Sequence, residues 1–439
     1  MTEILGDVPP TQPEARRGGG MIAVALGLGV FGLATYAFLG LAGQALGPEL
    51  FAPVSVLWTL LNALGIGLFV PFEQELGRVT ATLRTRGEAN GSYARAVLVV
   101  AATLLVAVAA LTVTVASPLS TRLFTGHGEL VLMFVLAMAG MAASYVVRGL
   151  LSGQGRFGHY GAQLAVDGVL RVAAAGALYA TGVTSVAAYG AILFAVPMLA
   201  VLLTTPRPSA LVHRGGPTVG ARAVYASVGT LLAASVLSQV LANAGLVVVQ
   251  LLAGPDEAEV SGYFLSGLVI ARIPLFFFTA VQAVFLPALA GLAAAGDHHG
   301  FAARVRLVGV GTIVIGALGS LGIWLLGPEV VPLLFGSQYV IDRGVITLVA
   351  VSGALFMLAQ VAAQALLALG GDRAVVLGWA VGLLGLVLAV ALPGDAVHRA
   401  AWSLVIGSAA ALVPLAWAMA VRQARWRRGT VVPAVASAD

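Results

Sequence analysis

Apolar runs of 18 or more residues recur along the whole chain, parted by short polar segments. They fall near 22–46, 52–72, 93–116, 130–151, 160–180, 185–203, 224–252, 261–294, 306–326, 345–369, 374–392 and 400–421. A helix of about 18 residues or more crosses a hydrocarbon core roughly 30 Å thick. One such run would be an anchor, whereas about twelve predict an all-α polytopic membrane protein.

Composition strengthens this reading. Of the 439 residues 60% are hydrophobic and only 9% charged, against about 25% charged in soluble domains. Cysteine is absent, which excludes disulfides, thiolate metal sites and cysteine nucleophiles. The net charge of +5 comes from arginine alone and would raise nucleic acid as a partner, but its placement points to a membrane instead. With the N-terminus inside, eighteen arginines fall on cytoplasmic segments and three (Arg122, Arg343, Arg399) outside, leaving Arg171 and Arg272 within spans. Arginine bias in short loops orients such chains, so both termini are expected in the cytoplasm of a bacterial cell, on the inner membrane. No cleavable signal is expected before the first span, and 1–19 and 429–439 read as disordered tails.

Segment 204–222 holds Pro206, Pro208, Gly215, Gly216 and Pro217 with three arginines, which reads as a cytoplasmic linker. The expected organisation is therefore a tail over 1–21, a six-span half over 22–203, the linker, a second six-span half over 223–421, and a tail over 422–439. The halves resemble each other. SPLSTRLFTG (117–126) matches GPEVVPLLFG (327–336), LLSGQGR (150–156) matches LLALGGDR (366–373), and LGPEL (46–50) matches AGPDE (253–257). An even number of spans per repeat puts the pseudo-twofold axis along the membrane normal.

No loop exceeds about twenty residues on this reading, which leaves no room for an exposed catalytic domain. His127, His159, His213, His298, His299 and His398 are scattered over loops, and no G-x-S-x-G, H-E-x-x-H or P-loop spacing occurs. No catalytic residue, cofactor or metal is therefore expected. The His298–His299 pair beside Asp297 reads as a solvated turn.

Three segments carry a family resemblance: ALGPELFAPVSVLWTLLNALGIG (45–67), RGLLSGQGRFGHYG (148–161) and YFLSGLVIARIPLFFFTAVQAVFLPALAGL (263–292). In that order they resemble the polysaccharide flippase branch of the multidrug/oligosaccharidyl-lipid/polysaccharide exporter superfamily. The resemblance implies two six-helix lobes forming a V around a central cavity that opens alternately to each side. It also implies a lipid-linked saccharide as partner, an undecaprenyl-pyrophosphate-linked sugar carried from the cytoplasmic to the outer leaflet, and a functionally required arginine at Arg272. Lipid II flippases look similar around Ala271–Arg272 but place arginines in the first two spans and add two helices. Here Gln44 stands where many relatives are basic and the chain stops after the twelfth span, so other lipid-linked saccharides rank above lipid II.

Polar residues within spans are the candidate substrate-binding set. Gln239, Asn243 and Gln250 share one face of the seventh span, and Gln360 and Gln364 one face of the tenth. With Gln282 of the eighth they either tie helices together or line a wet cavity. Asp167 and Arg171, four residues apart, can pair within the fifth span. Arg272 lies near the midplane of the eighth, whose own sequence offers no acid from Ser261 to Gly296. A guanidinium stays charged when desolvated and grips phosphate oxygens. Its other expected partner is an inter-lobe tie to Asp167 or a backbone carbonyl. Glu73 and Glu75 near Arg78 read as an interfacial charge cluster. The competing function is cation-coupled multidrug efflux, which needs carboxylates in the cavity; membrane lipids and an unidentified coupling ion are the remaining expected partners.

Overall fold

The computed structural model describes residues 14–216, 221–254 and 260–430. Among the described residues the regular structure is helical throughout, as lipid requires of a chain that must satisfy its own backbone. Ten helices among the described residues are long and apolar enough to cross a membrane. The first of these, Ile22–Arg84, has 63 residues, about 95 Å at 1.5 Å per residue, and is two crossings. Its first helix, α1 (Glu14–Leu60), turns at Gly47, where φ is 69° and ψ 171°. A π-helical stretch, Leu61–Ile66, then leads into α2 (Gly67–Thr85).

The first half continues with α3 (Gly91–Thr114), the one-turn α4 (Ala116–Pro118), α5 (Glu129–Gly153), α6 (Phe157–Ala180) and α7 (Val186–Thr204). The second comprises α8 (Ala221–Leu252), α9 (Val260–Ala271), α10 (Ile273–Ala294), α11 (His298–Phe335), α12 (Arg343–Ala368), α13 (Asp372–Ala389) and α14 (Ala396–Arg427). Helix packing repeats between them. In the first half α1 packs on α6, α2 and α3 on α5, and α7 on both α5 and α6; in the second α8 packs on α13, α10 and α11 on α12, and α14 on both α12 and α13.

The repeated glycine landmarks have a backbone cause. Gly155 and Gly370 both adopt φ 71°, the left-handed conformation that closes a helix C-terminus at little cost only for glycine. The same six-residue bond follows in each, Arg156 N to Leu151 O at 2.8 Å and Gly371 N to Leu366 O at 2.7 Å. Gly87 and Gly296 close α2 and α10 in the same way, a correspondence not legible in the sequence.

Four sequence expectations are corrected. The eighth span, read as one helix over 261–294, breaks at Arg272, which has φ −96° and ψ 2° and caps α10. Pro274 follows two positions on and, lacking an N–H, cannot return a helical hydrogen bond to the carbonyl of Ile270. The ninth span runs from His298 to Phe335 because Asp297 caps it, its carboxylate accepting from Gly300 N. His298 is accordingly no solvated turn; its ring centroid lies 4.0 Å from that of Trp426. The described part of the linker is pinned to the first half: Asn90 Nδ2 donates to Leu211 O at 3.0 Å, and Asn90 Oδ1 accepts from His213 N at 2.9 Å. The expected tail over 1–19 is corrected in part, since residues 14–19 are helical in α1; residues 1–13, 431–439 and the acidic segment 256–259 lie outside the described residues.

Candidate functional site

The bundle has two ends. One holds the turn at Gly47 and the segments around Arg122, Ser261 and Tyr339; the opposite, basic end holds the linker and most arginines. Arg272 lies between the halves, about 18 Å along α9 from the Gly47 end. Its Nη1 donates to Asn243 Oδ1 of α8 at 3.0 Å. The Asn243 amide is itself oriented, since Nδ2 donates to Gln239 O at 2.8 Å and approaches Gln239 Oε1 at 3.4 Å. Tyr36 of α1 faces the guanidinium from the other half. Among the described residues no carboxylate lies within ion-pairing distance of Arg272. The expected tie to Asp167 is not made.

Asp167 is engaged elsewhere. Arg171 Nη2 and Nε both donate to its Oδ1, at 2.7 and 3.2 Å, and both residues are buried. The guanidinium carbon lies 5.3 Å from the centroid of the Phe31 ring of α1, close enough for a cation–π contact. Charge is thus cancelled inside the first half, and Arg272 keeps an uncancelled one at the boundary between halves.

The remaining candidates separate. Gln250, on the same face of α8 as Asn243, lies toward the Gly47 end, where its Nε2 donates to Arg122 O at 3.2 Å. It is a tie between halves and no neighbour of Arg272. Gln360 is half-buried on α12, and Gln364 Oε1 is buried without a hydrogen-bond partner among the described residues; the structure brings neither to Arg272. The side chain of Gln282 lies outside the described residues.

Sequence reasoning missed one cluster. Glu73 and Glu75 do not form a single interfacial group. Glu75 takes a bidentate pair from Arg78, at 2.8 and 2.9 Å, and a bond from Tyr93 OH at 3.1 Å. Glu73 turns inward: Tyr160 OH donates to its Oε1 at 2.6 Å, and Arg148 Nε lies 3.2 Å from its Oε2. That last contact is off the N–H direction, so it is coulombic more than directional. Arg148, counted above with the loop arginines, is instead largely buried in α5 over the Tyr145 ring, 4.1 Å from its centroid. The three partners come from helices far apart in sequence, and no local spacing signals them. Among the described residues no cluster of three or more histidine, aspartate and glutamate side chains could hold a metal.

No family model matches the chain. Two uncharacterized proteins of Mycobacterium tuberculosis, Rv1510 and Rv3630, are each 27% identical to it, over 420 and 434 residues. Both alignments cover 93% of this chain, with 92% and 94% of those proteins. Among solved structures, the inward-facing conformation of a multidrug resistance MATE family transporter of the MOP superfamily aligns with TM-score 0.71 at 14% identity, over 94% of this chain and 100% of that one. Its outward-facing counterpart gives 0.68 at 14% identity, over 93% and 95%. A MOP superfamily transporter from Pyrococcus furiosus, described as having a binding pocket of reverse polarity, gives 0.68 at 18% identity, over 92% and 95%. The chain has the fold of the MATE transporters and is a multi-pass membrane protein.

Proposed function

We propose that the protein is a transporter of the bacterial cytoplasmic membrane, with both termini cytoplasmic. On this reading its two halves move a polyprenyl-pyrophosphate-linked saccharide from the cytoplasmic to the outer leaflet by alternating access. The observation that carries the reading is Arg272, a permanently charged group between the halves whose described partner is a neutral amide. A desolvated guanidinium with free N–H donors selects an anion, and the pyrophosphate bridge of a lipid-linked sugar offers oxygens in a matching fork. The fold supports the mode of movement, and the reverse-polarity pocket of the Pyrococcus furiosus transporter is a precedent for a different charge preference within it.

Cation-coupled efflux of small organic molecules is the second reading, because the same fold serves multidrug exporters. The carboxylates it would use, Asp167 and Glu73, each already face an arginine. The two readings divide in one experiment. Proteoliposomes are loaded with a fluorescent polyprenyl-pyrophosphate saccharide, and the fraction accessible to an external pyrophosphatase is followed against Arg272→Ala liposomes. Protein-dependent exposure that is lost in the variant supports the flippase. No exposure, together with accumulation of an organic cation against an ion gradient, establishes efflux instead. Mass spectrometry of lipid-linked glycans in a strain lacking the protein then identifies the sugar from the intermediate that accumulates.

A further inference from the structure

The halves meet in two different ways along their seam. At the Gly47 end they touch through backbone atoms and rings. Gln44 Nε2 donates to Leu334 O at 2.7 Å, and Tyr339 OH to Gly43 O at 3.0 Å. Gln250 bridges Arg122 O of the first half to the hydroxyl of Ser261 in the second. The Phe51 ring lies 6.0 Å from that of Phe335 and 6.1 Å from that of Tyr339. Glycine permits this closeness: a Cβ on Gly43 would meet the Phe335 ring at 2.8 Å, and one on Gly262 the Pro48 carbonyl oxygen at 2.5 Å.

Toward the basic end several polar ties among the described residues stay within a half. Glu73 holds Arg148, Asn90 holds the linker, and Arg422 donates to Leu369 O and Gly370 O. Between the halves, α8 keeps its apolar packing on α2 and α3, while among the described residues it is α9 rather than α10 that packs on α1. Ion pairs stiffen the interior of the first half, and the hydrogen bonds described across the seam at the Gly47 end are neutral ones that water can replace on separation, which buried charges cannot do as readily.

We propose that the seam at the Gly47 end is a reversible latch: the molecule is closed there, and it opens on that side only when Gln44, Gln250 and Tyr339 release their partners and the Phe51–Phe335 contact parts. The latch takes its purpose from the transporter reading and its geometry from the contacts alone.

Because the native chain has no cysteine, Gly43→Cys with Phe335→Cys tests it cleanly. With a protease site placed at 217–220, oxidation in native membranes should keep the two fragments joined until a thiol is added. Fragments that separate although both thiols react with maleimide would overturn the latch. Gly262→Leu should pry the seam apart, raising labelling of Tyr36→Cys by an impermeant maleimide from the Gly47 side by about 10-fold, the population change expected of an overpacked contact. Gln250→Leu removes the bridge without adding bulk to Gly262 and should act in the same direction. Unchanged labelling in both variants also overturns the proposal. A cross-link that forms in a protein carrying neither lipid-linked saccharide nor organic cation leaves the latch standing and removes the transporter reading.

Discussion

Glu73 and Arg148 face each other from α2 and α5 at 3.2 Å, although they lie 75 positions apart in the chain. Tyr160 of α6 completes the contact from a third helix through Glu73 Oε1. A buried arginine needs this carboxylate, because a guanidinium keeps its charge when it is desolvated.

Glu73→Ala should therefore cost about 3–5 kcal/mol of stability, the usual penalty for leaving one member of a buried pair alone. Glu73→Gln, which keeps an acceptor for Tyr160, should cost less. Thermal unfolding in detergent checks the order. Equal loss in the two variants would mean that the charge of Glu73 does not matter.

Asp167 and Arg171 form the second buried pair, with Nη2 to Oδ1 at 2.7 Å. Either single alanine change should destabilise by about 3–5 kcal/mol. Replacing both by leucine should recover most of that loss, because paired removal leaves no orphan charge. If the double-leucine protein is stable and also transports, the pair is structural. If it is stable and inactive, the charges serve the substrate.

The spans were legible because lipid enforces length and apolarity, and the Gly155 and Gly370 landmarks because only glycine accepts the backbone they need. The break at Arg272 lies inside an apolar run over 261–294, and apolarity alone does not show it; Pro274, which lacks an N–H, is the residue that marks it. Gln250 shows a different limit. Seven positions from Asn243 put it on the same face, yet about 10 Å further along the helix. Periodicity gives the face and says nothing of depth. Glu73, Arg148 and Tyr160 carry no periodic signal, because their meeting is set by the packing of α2, α5 and α6.

Asp395 caps α14, its Oδ1 accepting from His398 N at 2.8 Å. That backbone N–H, with the His398 ring on Oδ2, holds the carboxyl below the usual carboxylate range. A depressed acid stabilises the fold above its unfolded value, about pH 4, and loses that contribution as pH falls through the lower folded value. Asp395→Asn keeps an acceptor but no charge, so its unfolding temperature should fall below the wild type near pH 6, and the gap should close as pH falls through the lowered folded value of the carboxyl. An offset between the two proteins that stays constant across the acid range would exclude the linkage.

The neutrality of Asn243 is the sharpest test of the substrate. Its Oδ1 holds Arg272 at 3.0 Å, and Asn243→Asp keeps the shape while supplying the missing counter-charge. A carboxylate there would pair with the guanidinium and compete with any anion for it. Stability should stay level or rise, and affinity for a pyrophosphate-linked substrate should drop roughly 10- to 100-fold, the value of a charge-assisted hydrogen bond of about 1.5–3 kcal/mol. Arg272→Lys, which keeps the charge but not the fork, should retain part of the activity, whereas Arg272→Ala should retain none while reaching the membrane at a normal level. Organic cations would respond in the opposite direction, since Asn243→Asp removes a repulsive charge from their path. Flippase and efflux assays on the same Asn243→Asp protein therefore decide between the two substrates: a fall in the first favours the lipid-linked saccharide, and a rise in the second favours the cation.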